Sequence, residues 1–249
     1  MKLAGGSMAV VAVLLSGMVQ AQECREQLPQ ILKNAYAPQS QVSVEETVCK
    51  VWPAQPHLTL VAVSLPRAEH DGYGETDLEL LIVDSSSSRV RARKLMAGAL
   101  DWDAFHVSSI AFDTAPYRVS QGQLAFGVRI SRRGSSRVNP FSVQSLDMYL
   151  VEEDTLRPIL RDLVMEEGSG EWDSNCAGAW VDKTRTLALA EQAGRNGYRD
   201  LILREKNAFA RSEARDSGCE TVEENIQQQR YRLSYDGQNY VVPKELLQH

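Results

Sequence analysis

Hydrophobic residues change their period once, near the start of the chain, and keep the new one almost to the end. Between Glu26 and Tyr36 the apolar positions are Leu28, Ile31, Leu32 and Ala35, the three-and-four spacing of an amphipathic helix. Pro38 ends it, because the residue before a proline is pushed out of helical geometry. The pattern predicts a short helix packed on a sheet and tethered at Cys24. From Val42 the period is two, with Val42, Val44, Thr47 and Cys49 suggesting an entering strand. Leu58 to Val63 and Leu78 to Val83 are apolar on both faces, which predicts central strands. Arg89 to Leu95 alternates as a half-exposed strand. Val107 to Phe112 is a strand stopped by Asp113 to Pro116. In the cleanest alternation, Leu124, Phe126, Val128 and Ile130 face away from Gln123, Ala125, Gly127 and Arg129. Leu146, Met148 and Leu150 repeat it, and Leu156 to Val164 returns from a turn at 152–155. Glu205 to Gln229 has few apolar anchors and reads as a long polar excursion held by Cys219, partly helical from Thr221 to Gln228. Tyr231, Leu233 and Tyr235 then lead through Asp236-Gly237, a tight-turn signal, into a final hairpin at Tyr240 to Val242. About a dozen short strands and one helix predict a mainly β fold of antiparallel hairpins, either packed sheets or a partial propeller-like ring.

Two stretches repeat each other. Cys49, Trp52, Leu58–Val63, the Asp71-Gly72-Tyr73 turn and Asp77–Val83 parallel Cys176, Trp180, Thr186–Ala190, the Asn196-Gly197-Tyr198 turn and Arg199–Leu203. Cys49 to Leu60 and Cys176 to Leu187 are both eleven residues apart. Internal repetition predicts units that do not each bury a face alone. The expected organisation is a signal peptide at 1–21 and one β-rich domain at 22–249. Its two related halves, 22–99 and 167–249, are bridged by hairpins at 100–166.

The compartment follows from the first residues. Lys2, the apolar run Met8–Leu15 and Val19-Gln20-Ala21 form a secretory signal pattern with cleavage expected after Ala21, too short to span a membrane. Removing residues 1–21 takes the net charge from −6 to −7. A mildly acidic chain without a Lys/Arg block argues against nucleic acid, and the lack of a later apolar run of about 18 residues argues against membrane insertion. The expected location is periplasmic. Cys24, Cys49, Cys176 and Cys219 make an even count, which in an exported chain implies two disulfides. Of the three connectivities, Cys24–Cys49 with Cys176–Cys219 would staple each copy of the repeated unit. Trp52 and Trp180, each just past a cysteine, would then pack over the bridges.

Asn196-Gly-Tyr-Arg-Asp-Leu-Ile-Leu203 and the following Tyr231–Tyr240 hairpin resemble the repeat units of FG-GAP and VCBS-type β-propeller proteins. The resemblance implies a calcium loop ahead of the glycine. In this copy the matching Gln192, Gly194 and Asn196 offer no carboxylate. The earlier copy carries Asp71, Glu75 and Asp77, which could hold calcium if the spacing allowed; otherwise no cofactor is expected.

Two further constellations carry chemistry. Arg129, Arg132, Arg133 and Arg137 cluster in and beside a turn and suit a carboxylate or phosphate on a partner. Glu171, Trp172 and Asp173 follow Gly168-Ser-Gly170 and suit a sugar platform or an acid pair in a loop. No Gly-x-Ser-x-Gly or His-Glu-x-x-His occurs. The favoured expectation is a non-enzymatic binding protein with an envelope partner, in the manner of an inhibitor or immunity protein. The competing ones are an envelope glycan or peptide hydrolase using Glu171 with Asp173 or Asp71 with Glu75, and a calcium-binding structural module.

Overall fold

The computed structural model describes residues 24–247 except 39, 41 and 217, so the expected signal peptide lies outside the described residues. Helix α1 spans 24–35. Eleven strands follow: β1 (Val48–Val51), β2 (Leu58–His70), β3 (Tyr73–Asp84), β4 (Arg89–Met96), β5 (Phe105–Ser120), β6 (Gln123–Gly134), β7 (Phe141–Glu152), β8 (Thr155–Trp172), β9 (Gly178–Ala193), β10 (Arg199–Arg215) and β11 (Gly218–Leu233). The chain is mainly β, built of antiparallel hairpins with one short N-terminal helix. Among the described residues no helix is long and apolar enough to cross a membrane.

The strands form two meanders. β1 to β4 pair in order, and so do β5 to β11, every pair antiparallel. The meanders join where β4 meets β8 in parallel through one bridge, Arg93 opposite Thr155. One edge of β8 carries β7. The other carries β4 at its start and β9 from Glu166 onward. Between these two neighbours β8 forks away from β4.

Burial follows the alternation. Leu58, Leu60 and Ala62 of β2 with Leu78, Leu80 and Ile82 of β3 pack against Phe126, Val128, Ile130 and Tyr149 of the second meander. Their other faces, Val61, Val63, Leu81 and Val83, pack against Leu28, Ile31 and Leu32 of α1. β2 and β3 are therefore buried on both sides, as their unbroken apolar runs predict. The opposite face of β5–β8, including Tyr117, Val119, Leu146, Met148 and Leu163, packs against Leu201 and Leu203 of β10 and against Tyr235, Tyr240 and Leu246 of the C-terminal segment. The hairpin turns carry Gly72 and Gly122 at φ +91° and +84°, a left-handed backbone that a Cβ would strain.

Both expected disulfides form, Cys24–Cys49 and Cys176–Cys219. The first ties α1 to β1. Trp52 does not pack over it, because the odd separation from Cys49 sends the two to opposite faces. Cys49 meets the α1 side, whereas Trp52 sits edge-on to Phe126 at 5.4 Å in the core between the two meanders. Trp180 instead lies on the backbone at Gly170 and Gly178, where a Cβ would come within 3 Å of its ring.

Several expected boundaries are corrected. The first strand begins at Val48, since 42–47 is taken up by a turn in which Thr47 Oγ1 donates to Ser43 O. Asp113 to Pro116 does not end β5. The register shifts there and pairing resumes at Tyr117, so Pro116, which has no N–H to donate, is accommodated in an irregularity of an edge strand. Gly168 and Gly170 lie within β8 and not in a loop. Residues 221–228 are not helical: Glu205–Gln229 forms the outer halves of β10 and β11, whose ladder continues to Arg215 opposite Gly218. The two repeated stretches share a hairpin, β2–β3 and β9–β10, but differ before it. Cys49 lies on a separate strand opposite Val61, whereas Trp180 and Leu187 follow one another along β9.

Candidate functional site

Seven strand ends converge on one end of the second meander, from Phe105 at the start of β5 to Gly218 at the start of β11. The pairing of β9 with β10 shows how it is built. Leu189 faces Leu201 and Leu187 faces Leu203, both against the core. Next come Arg185 opposite Glu205, then Lys183 opposite Asn207, then Val181 opposite Phe209. Arg185 Nε donates to Glu205 Oε2 at 2.6 Å and its Nη1 to Val164 O, and both side chains are almost fully buried. Beyond this ion pair the sheet continues without a core behind it.

The far end is tied instead by covalent and backbone links. Cys176 lies in the β8–β9 turn and Cys219 at the start of β11, so their disulfide joins two hairpin tips. Trp172 N–H donates to Val138 O at 2.8 Å and Gly170 N–H to Pro140 O at 3.1 Å. These bonds lay the 135–140 segment beside β8 and bring the predicted arginine turn to the predicted Glu171-Trp172-Asp173 stretch. Phe105 and Phe141 meet edge-on at 5.1 Å, and Phe141, Ser169, Val181 and Phe209 oppose one another across β7, β8, β9 and β10. Phe105, Val138 and Trp172 remain 43%, 46% and 37% exposed.

The predicted residues separate by role. Arg129 is held by Asp113 at 2.6 Å and by Gln144, and Arg132 donates to Ala99 O, which follows the first meander. Arg133 and Arg137 are exposed at the disulfide-tied end. Asp173 Oδ1 accepts the N–H groups of Asn175 and Ala177 and so shapes the β8–β9 turn, while Glu171 is exposed beside it. At the other hairpin, Asp71 is exposed in its turn. Glu75 and Asp77 both pair with Arg67, and Asp77 also accepts Gly98 N–H. Among the described residues no group of three or more His, Cys, Asp or Glu side chains is placed to hold a metal ion.

One constellation escapes the sequence pattern. Leu146 faces Leu163 and Met148 faces Leu160, so Asp147 of β7 opposes two residues of β8, Arg161 and Asp162. This is a β-bulge, in which one extra residue on β8 breaks the regular alternation. Asp162 takes a left-handed backbone at φ +54°. Its N–H has no place in the ladder and donates to Asp147 Oδ1 at 2.7 Å, while Tyr149 Oη donates to Asp147 Oδ2 at 2.9 Å. Burial raises the Asp147 carboxyl above the ordinary carboxylate range, against the pull of the Asp162 N–H and the Tyr149 hydroxyl.

A carboxyl that binds its proton more tightly when folded stabilises the fold most at low pH and loses that contribution as pH rises through its folded pKa. Asp147→Asn keeps the shape and removes the charge. The stability of the native protein relative to this variant is therefore expected to fall as pH rises from about 4, the ordinary aspartate value. Urea melts of both proteins at a series of pH values measure it, and parallel profiles would refute it.

No protein-family model matches the chain, and neither a curated protein nor a solved structure matches it.

Proposed function

We propose that this chain is an exported, non-enzymatic interaction protein that presents the disulfide-tied end of its second meander to an envelope protein, as an inhibitor or immunity protein would. The observation that carries the reading is the Cys176–Cys219 bridge. It fixes the tips of two hairpins where no core holds them, and Phe105, Val138 and Trp172 stand exposed at that end beside Arg133 and Arg137. Fixing a surface before binding lowers the entropy that a partner must overcome. Aromatic and arginine side chains are also the types that dominate binding energy at interfaces. Two disulfides fit an oxidising compartment. Asp173 gives one oxygen to two N–H groups of its own turn, which favours a structural role for it over an acid–base one.

A photo-crosslinking residue placed at Trp172 in intact cells is expected to give one dominant protein adduct, and the same residue at exposed Val241 to give none. Trp172→Ala is expected to weaken that complex roughly 30-fold, the effect of losing an anchor of about 2 kcal/mol. Arg137→Glu is expected to reduce the adduct. Identical adducts from both positions, or none from Trp172, would sink the proposal.

A further inference from the structure

β11 is the outer strand of the second meander. Among the described residues it pairs with β10 alone, so its other edge has no ladder partner there. An open edge is a template for a further strand, and proteins blunt it with proline, bulges or short length. β5, the opposite edge of the meander, is blunted in this way: its register shifts at three places and it carries Pro116. β11 has no proline, and from 223 to 233 its register against β10 is unbroken. The eight consecutive residues 223–230 are exposed, Ile226 at 50%. This stretch lies beyond the Arg185–Glu205 pair, where the ladder to β10 holds it and a core does not.

The charges on β11 do not close this edge; their order selects what pairs with it. Residues directly opposite in a ladder share a face, and like charges placed so are destabilising. Arg230 stands opposite Arg204, both exposed, and Lys206 occupies the next rung of the same face opposite Gln228. An acid on the open side of Arg230 would offset this cluster of cations. The same face of β11 carries such an acid six residues earlier: Glu224, exposed, opposite Ala210. Its distance along the strand keeps it from Arg230 within one chain. A second β11 running antiparallel, with Gln227 opposite Gln227 on a two-fold axis, sets Glu224 of each copy against Arg230 of the other. Asn225 then faces Gln229, Glu223 faces Tyr231, and Ile226 lies diagonal to Ile226 of the other copy, within reach of it. No rung from 223 to 231 opposes like charges.

We propose that the chain forms a two-fold dimer in which β11 pairs with β11 of a second copy over residues 223–231, joining the two sheets into one. The two-fold axis makes the contact self-complementary, since each charged rung occurs twice. The dimer goes beyond the partner reading and uses a different surface: Trp172 lies on β8, and β9 and β10 separate that strand from β11.

Sedimentation equilibrium of the full disulfide-bonded chain over a range of concentrations tests it, and a monomer–dimer equilibrium is expected. Glu224→Arg and Arg230→Glu each place two like-charge rungs across the axis, and each is expected to weaken the dimer about tenfold or more. An equimolar mixture of the two variants is expected to dimerise again, because both rungs of the mixed pair join acid to base. Arg230→Glu also relieves the rung with Arg204 inside its own copy, so its lost association is not a folding defect. A chain that stays monomeric at every concentration would overturn the proposal, as would a dimer that both variants leave unchanged. Variants that associate no better mixed than apart would overturn the pairing of Glu224 with Arg230. A photo-crosslinking residue at Gln227 in intact cells that captures a different protein and no second copy would give the edge to that protein and overturn the dimer.

Discussion

Glu205→Ala is expected to destabilise the protein by about 3–5 kcal/mol, because it leaves the Arg185 guanidinium buried without its partner. Arg185 has 2% and Glu205 7% of their side-chain surface exposed, and the Nε–Oε2 distance is 2.6 Å. For a chain of this size the loss corresponds to a fall in Tm of roughly 6–20 °C. The pair occupies the rung after Leu187–Leu203, where β9 and β10 pass from the core to the unsupported end. The double variant Arg185→Leu with Glu205→Leu removes both charges and continues the leucine ladder by one rung. It is expected to recover most of the loss, as replacing a whole buried pair by apolar groups often does. Thermal and urea melts of the single and double variants form the test. A single variant within about 1 kcal/mol of the native protein would show that water reaches Arg185 and that the pair is not a buried one.

Trp52→Ala is expected to cost a similar amount, about 3–5 kcal/mol, through the cavity left between the two meanders. Trp52 is fully buried, meets Phe126 edge-on and shares its cluster with residues from both meanders. Its indole Nε1 has no hydrogen-bond partner among the described residues. Trp52→Phe deletes that N–H, so the relief of an unsatisfied donor offsets part of the lost contact, and a cost near 1 kcal/mol is expected. A phenylalanine variant as unstable as the alanine one would contradict this account. The comparison requires only unfolding curves at one pH.

How far the sequence discloses this fold depends on whether a core lies behind each residue. Leu28, Ile31 and Leu32 on α1 and Leu124, Phe126, Val128 and Ile130 on β6 each face one buried layer, so their periods of 3.6 and 2 stand out. The two-sided burial of β2 and β3 was legible for the same reason. Beyond Glu205 the strands have no core behind them, and nothing selects alternation. Glu220, Glu223, Glu224 and Gln227–Gln229 then read as good helix formers, although pairing with β10 makes them a strand. The cysteine pairing was legible, but its use in tying two hairpin tips was not, since it depends on which turns meet. Arg133, Arg137 and Trp172 could be named in advance by residue type. Arg161 and Asp162 could not, because a bulge is a property of register between two strands and leaves no mark in one strand alone.

The two uninterrupted meanders give the molecule a simple history. From β6 to β11 every strand pairs with the one made just before it, so within this meander the order of synthesis is also the order of pairing. Each hairpin closes a short loop, and the entropy of closing it is small. Other links wait for distant chain, among them the Leu163–Leu247 bridge and the bond from Tyr240 N–H to Ile159 O. The Arg93–Thr155 bridge needs β8 before the first meander can be joined to the second, and Cys176 needs Cys219, 43 residues later. Until that disulfide closes, the end of the sheet carrying Trp172 is assembled strand by strand but not yet locked.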